Sequence, residues 1–177
     1  MTGDRPVIVV MGVSAAGKST VAAALAEASG AAFVDADDLH PEANRAKMRS
    51  GVPLDDDDRW PWLDAVGRVL AEHAEDRGAV VACSALRRPY RERLLAVAPT
   101  AVFVHLDAAA EVLAARAAAR TGHFMPAGLL DSQLATLEPL DTDEPGFRVD
   151  VAATVDEVVR AALAGMERRA NTIAHDG

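Results

Sequence analysis

Gly12-Val13-Ser14-Ala15-Ala16-Gly17-Lys18-Ser19 has the spacing Gly, four residues, then Gly-Lys-Ser, which is the pattern of a loop that wraps a phosphate. Each residue type has a task in that chemistry. The glycines let the backbone curl so that successive N–H groups point inward at an anion. Lys18 can reach the β- and γ-phosphates of a nucleotide as a point charge, and the Ser19 hydroxyl can ligate Mg²⁺. The expected nucleotide-binding set is therefore Gly12, Ser14, Ala15, Ala16, Gly17, Lys18, Ser19 and Thr20.

Asp35 and Asp37 are the next chemical candidates. On an extended segment, residues two apart point to the same side. Both carboxylates could then face one cleft, one near a metal and one near an acceptor hydroxyl. A solvated acidic turn is the alternative. Ser84, Arg87, Arg88 and Arg91 form a further cluster after an apolar run. Arginines there could clamp a carboxylate or phosphate bidentately. Cations at a helix start oppose the helix dipole, and an anionic ligand would relieve that conflict. Three exposed arginines are the alternative. Arg116 and Arg120 lie four apart, on one helix face. Above a phosphate they would offset charge that spreads over the phosphoryl oxygens.

These residues need a scaffold. Val7 to Met11 is a continuous apolar run of the kind a buried parallel strand uses. Thr20 to Ala28 is rich in Ala and Leu and reads as helix. The phosphate would thus meet a helix N-terminus, where free N–H groups and the dipole favour an anion. Further strands are expected at 31–34, 79–83, 101–106 and 147–151. Helices are expected at 41–50, 59–77, 89–97, 108–119, 129–137 and 154–168, with an acidic loop at 51–58 and a frayed tail at 171–177. Pro61 fits the first turn of its helix on this reading. Thr154 and Glu157 have capping-box spacing. Alternating strands and helices predict a three-layer α/β fold with a central parallel sheet of about five strands. Ligands in such sheets bind beyond the strand carboxyl ends, where all the residues above fall. One domain over 1–170 is expected.

Composition narrows the function classes. At 177 residues and half apolar, the chain has enough material for a core. No apolar stretch approaches the roughly 20 residues of a membrane span. The N-terminus lacks the basic-then-apolar pattern of a secretory signal. Cys83 is the lone cysteine, so an intrachain disulfide is impossible and a cytoplasmic location is expected. A net charge of −9 argues against a nucleic-acid partner. Only two basic residues are lysine, Lys18 and Lys47, and both stand in motifs.

The second motif is long. It runs His40-Pro41, Asn44, Lys47-Met48, Gly51, Pro53-Leu54, Asp56, Asp58-Arg59 and Pro61-Trp62-Leu63. It continues through Cys83 to Arg88, Tyr90-Arg91, Arg116, Arg120, Gly122 to Met125 and Gln133 to Leu140. Together these stretches resemble gluconate kinases, P-loop sugar-acid kinases of the shikimate-kinase and nucleoside-monophosphate-kinase type. The resemblance implies a P-loop kinase fold with a helical lid near 116–128. It implies ATP- and Mg²⁺-dependent phosphorylation of D-gluconate at its 6-hydroxyl, and a homodimer. By motif position Lys18, Asp37 and Arg120 look catalytic, Ser19 and Asp35 look like Mg²⁺ holders, and Arg116 and Arg120 look like ATP contacts. His40, Asn44, Lys47, Arg59 and His123 look like acceptor contacts, with Ser84, Arg87, Arg88 and Arg91 beside them. One departure is Ala15, where many family members carry Gly; a backbone angle that accommodates a Cβ is expected there. Adenine would lie, by position, near the loop after Asp150. A related kinase acting on shikimate or a nucleotide is the nearest competing reading. A GTP-binding switch is another, although no Asn-Lys-x-Asp occurs to read guanine.

Overall fold

The computed structural model describes residues 5–120 and 128–175. Five strands form one parallel sheet: β1 (Val7–Met11), β2 (Ala32–Asp35), β3 (Ala79–Ala82), β4 (Val102–Asp107) and β5 (Gly146–Asp150). Their order is β2-β3-β1-β4-β5, and every pairing is parallel. The helices are α1 (Lys18–Ser29), α2 (Glu42–Arg49), α3 (Asp56–Ala74), α4 (Arg88–Val97), α5 (Ala110–Ala119), α6 (Leu129–Thr136) and α7 (Val155–His175).

Strand β1 lies at the centre and is buried at all five positions. Its side chains alternate between the two faces, as strand geometry requires. Ile8 and Val10 pack with Val21 and Leu25 of α1, Leu113 of α5 and Val158 of α7. Val7, Val9 and Met11 pack with Trp62, Val66 and Leu70 of α3 and Leu94 of α4. Two apolar cores thus sandwich the sheet, which makes the three layers expected from the sequence. On the β5 side, helix and sheet meet at Gly165. A Cβ there would stand 2.3 Å from Phe147 Cε2, so any larger residue would have to displace the Phe147 ring or α7.

Four local expectations are corrected. Helix α3 begins at Asp56, not after an acidic loop ending at 58. Asp55 caps it by accepting the Asp58 N–H at 2.8 Å, and the Asp58 side chain accepts the Asp55 N–H at 3.0 Å. This reciprocal box, with three aspartates in the first turn, suits the positive end of the dipole. Pro61 consequently stands inside the helix rather than in its first turn. Residues 36–39 form a 3₁₀ turn instead of an extended segment, with Asp35 accepting the Asp37 N–H at 3.0 Å. The C-terminal helix continues to His175, so the expected tail from 171 is mostly helical. Thr154 and Glu157 cap that helix as their spacing predicts.

Candidate active site

The loop between β1 and α1 has the backbone its glycines suggest. Gly12 has φ +149, and a Cβ on it would meet the Leu106 carbonyl oxygen at 2.9 Å. Gly17 has φ +89 and opens α1 without a side-chain cap, which leaves the helix N-terminus available to an anion. Ala15 departs from expectation. Its φ is +68, a left-handed conformation in which a Cβ is strained, so this position does ask for glycine.

Lys18 folds back along the loop, its ammonium donating to the Val13 carbonyl at 3.1 Å. Burial pushes its pKa below the ordinary lysine value, while the charges of Asp37 and Asp35 work the other way. Ser19 Oγ donates to Asp35 Oδ2 at 2.8 Å. Asp37 is held above the usual aspartate range, first by burial and then by the neighbouring Asp35 charge, with Lys18 opposing. A 220 Å³ cleft brings Lys18, Ser19, Asp35, Asp37, Ser84 and Arg120 together. Asp35 and Asp37 are separated by a 3₁₀ turn and not by an extended segment, yet both line one cleft.

A second cavity of 310 Å³ opens on the other side of the loop. Thr20, Val21, Val151, Val155 and Val158 form much of its wall, and Arg120 borders both cavities. Arg116 also lines it and hydrogen-bonds the Val151 carbonyl. Ala15, Ala16, Gly17, Thr20, Arg116 and Arg120, expected from the sequence as nucleotide contacts, all line it, whereas Val151, Val155 and Val158 were not expected, because valines at the end of a strand and the start of a helix look like core.

The remaining candidates form a polar group beyond β2 and β3. His40 stacks on Trp62 with ring centroids 4.3 Å apart. Burial, then Arg45 and Arg59, lower its pKa from the ordinary value. Asn44 is buried; its Nδ2 donates to the Asp58 carbonyl at 2.9 Å and lies 3.3 Å from His40 Nδ1. Lys47 pairs with Asp58 at 2.7 Å. Arg59 and Arg87 both approach the Asp56 carboxylate, at 3.8 and 3.3 Å. The Tyr90 hydroxyl donates to the same carboxylate at 2.6 Å. That hydrogen bond, ahead of the two arginines, holds the Asp56 carboxyl below the usual range. Asp56 and Tyr90 were not among the expected site residues, although both stand in the motif.

The arginine cluster after β3 also departs from expectation. Arg91 is fully buried and makes a two-pronged ion pair with Glu144, at 2.6 and 3.0 Å. Its Nη1 donates to the Ala85 carbonyl at 3.0 Å. It therefore braces the fold and does not face a ligand. Arg88 pairs with Glu92, Asp141 and Asp143, and Arg87 also reaches Glu138 at 3.5 Å. The conflict between these cations and the α4 dipole is relieved by the chain's own carboxylates at 138–144. His123 lies outside the described residues. His105 is buried, as a structural histidine should be.

Among the described residues, no group of three or more His, Cys, Asp or Glu could hold a metal ion. A hydroxyl bonded to one carboxylate beside a phosphate loop is the donor set a hard cation such as Mg²⁺ uses, with phosphate and water completing its shell. Ser19 and Asp35 therefore fit Mg²⁺ rather than a metal that needs a protein cage.

A family model described as an AAA domain matches residues 7–140. A gluconokinase of Gluconobacter oxydans is 52% identical over 157 residues, 88% of each chain. The crystal structure of a gluconokinase from Sinorhizobium meliloti superposes with a TM-score of 0.88 at 48% identity, covering 98% of both chains. An unliganded sugar kinase from Janibacter aligns with a TM-score of 0.85 at 43% identity, over 92% of this chain and 94% of that one. With a parallel sheet in this order and a phosphate loop at its centre, the chain belongs to the gluconokinase family of P-loop kinases.

Proposed function

We propose that the protein transfers the γ-phosphoryl group of ATP to the 6-hydroxyl of D-gluconate, giving 6-phospho-D-gluconate and ADP. The observation that carries this reading is the convergence of Lys18, Asp37 and Arg120 on one cleft. That cleft has a phosphate loop on one side and the polar group from His40 to Arg87 nearby. The mainly apolar cavity beyond the loop suits a flat adenine ring.

Asp37 supplies the acceptor chemistry. Its raised pKa makes it a better proton acceptor than an ordinary aspartate. It takes the proton of the 6-hydroxyl as that oxygen forms its bond to the γ-phosphorus. The bond from the γ-phosphorus to the β–γ bridging oxygen breaks, and its electron pair leaves with ADP. Lys18 and Arg120 face the charge that develops on the phosphoryl oxygens. Arg116 holds the 151–153 segment against the adenine cavity. Mg²⁺, when bound by Ser19 and through water by Asp35, would neutralise part of the phosphate charge. His40, Asn44, Lys47 and Arg59 provide hydrogen-bond partners for a polyol chain, and Ser84 and Arg87 extend that surface. Family likeness supports a homodimer, and the buried lone Cys83 suits a reducing cytoplasm.

The test is ADP release with ATP and Mg²⁺ across gluconate, shikimate, other sugar acids, nucleoside monophosphates and no acceptor. Release that depends on gluconate is expected. Release with another acceptor alone would overturn the substrate, and no acceptor-dependent release at all would overturn the kinase reading.

A further inference from the structure

Gln133 stands on α6, far along the chain from the phosphate loop, yet its Oε1 accepts the Ser14 N–H at 2.5 Å. It also lines the cleft that holds Lys18, Asp37 and Arg120. Ser14 immediately precedes Ala15, whose φ of +68 is strained. A strained residue keeps its conformation only when its surroundings over-determine it. The bond from Gln133 is a restraint of that kind, applied one residue away.

The restraint is itself anchored. One turn beyond Gln133, the Glu138 N–H donates to the Leu86 carbonyl at 2.7 Å, and the Glu138 carboxylate accepts the Arg88 N–H at 2.8 Å. Arg87 joins the same carboxylate and reaches across to Asp56. Further on, Glu144 is locked to buried Arg91. The C-terminal end of α6 is thus tied to the loop after β3 and to the start of α4, on the acceptor side of the cleft.

We propose that Gln133 is a positioning residue, which holds the phosphate loop in its phosphate-accepting shape by taking the Ser14 N–H. It acts on the nucleotide through the loop backbone. Its role rests on the cleft being a phosphoryl-transfer site, but its effect on the loop is readable without any acceptor.

The test compares the wild type with Gln133→Met, which keeps length and flexibility and loses the acceptor oxygen. Misplacing a reacting group by about an ångström can cost on the order of a hundredfold in rate. A loss of at least about tenfold in kcat/KM for ATP is therefore expected. ADP affinity, measured by calorimetry with no acceptor present, should weaken alongside it. In a ¹⁵N-resolved spectrum the Ser14 amide should shift and exchange faster with solvent. The thermal midpoint should move by no more than about 6 °C, as one partly exposed hydrogen bond in a chain of this length implies. Wild-type ADP affinity with an unmoved Ser14 amide would overturn the proposal. So would a fall in activity that only tracks a fall in thermal stability. If gluconate proves not to be the acceptor, the ADP and amide readouts still decide the role of Gln133.

Discussion

Replacing Glu144 with Gln tests whether Arg91 braces the fold or serves a ligand. Arg91 is fully buried, and the Glu144 side chain is 4% exposed. Two guanidinium nitrogens of Arg91 meet the two carboxylate oxygens at 2.6 and 3.0 Å. Oε2 also accepts the Asp141 N–H at 2.9 Å. The Gln variant keeps the shape and removes the charge, so a guanidinium is left buried without a counterion. Breaking a buried pair from one side costs about 3–5 kcal/mol. In a domain of this length 1 kcal/mol moves the melting point by about 2–4 °C, so a drop of roughly 6–20 °C follows. The pair also has a pH signature. Burial alone would raise the Glu144 pKa, but the hydrogen bonds from Arg91 and the Asp141 N–H hold it below the ordinary value. Its folded pKa is thus depressed. The stabilisation is full above the unfolded-state value and is lost as pH falls through the folded one. Urea and thermal unfolding at neutral pH give the first number. The double variant Arg91→Met with Glu144→Leu should recover most of the loss, because neither charge is then buried. A Glu144→Gln penalty below about 1 kcal/mol would refute the reasoning. A raised KM for gluconate in Arg91→Met at unchanged stability would restore Arg91 as a ligand.

Ala15→Gly should raise stability by about 0.5–1 kcal/mol, since about 1–2 kcal/mol of left-handed strain is relieved and part is offset by the freer unfolded chain. A lower urea midpoint at unchanged slope would show that the loop is not strained there. Asp37→Asn should lower kcat by about 10²–10⁴-fold and leave ADP affinity unchanged. The acidic limb of the wild-type rate profile should lie above the ordinary aspartate value of 3.8, because burial and Asp35 raise the Asp37 pKa; a kcat within about tenfold of wild type would remove it as the base. His105 is 1% exposed, its Nδ1 has no partner among the described residues, and burial lowers its pKa from 6.5 to about 4. With Arg148 and Arg91 adding to that depression, the unfolded chain takes up its proton first, so stability falls as pH drops from 6.5 toward 4, by at most about 3 kcal/mol. His105→Leu should flatten unfolding free energy across that window, and an unchanged slope would place the acid sensitivity elsewhere.

What the sequence made legible was what neighbours along the chain decide. The apolar run Val7–Met11, the glycines of the loop and the helix after them lie within two dozen residues, and their types imply their geometry. The arginines after β3 could not be read that way. Their partners, Glu138, Asp141, Asp143 and Glu144, arrive about fifty residues later, and nothing local marks an acidic stretch as the counter-charge of a distant helix start. The bond from the Ser14 N–H to Gln133 spans 119 positions and is invisible for the same reason. The start of α3 is legible in principle, since Asp55 and Asp58 have capping spacing, but Pro61 competes with it as a sign of a first turn. These misreadings change the chemistry of the acceptor side. Arg59 and Arg87 are not bare cations waiting for an anion; both approach Asp56, which Tyr90 also holds. An acceptor carboxylate binding at these two arginines would have to exchange places with Asp56. Recognition on the proposed reading would then be a difference between two carboxylates on the same donors, which would favour an acceptor whose hydroxyls add hydrogen bonds that Asp56 cannot make.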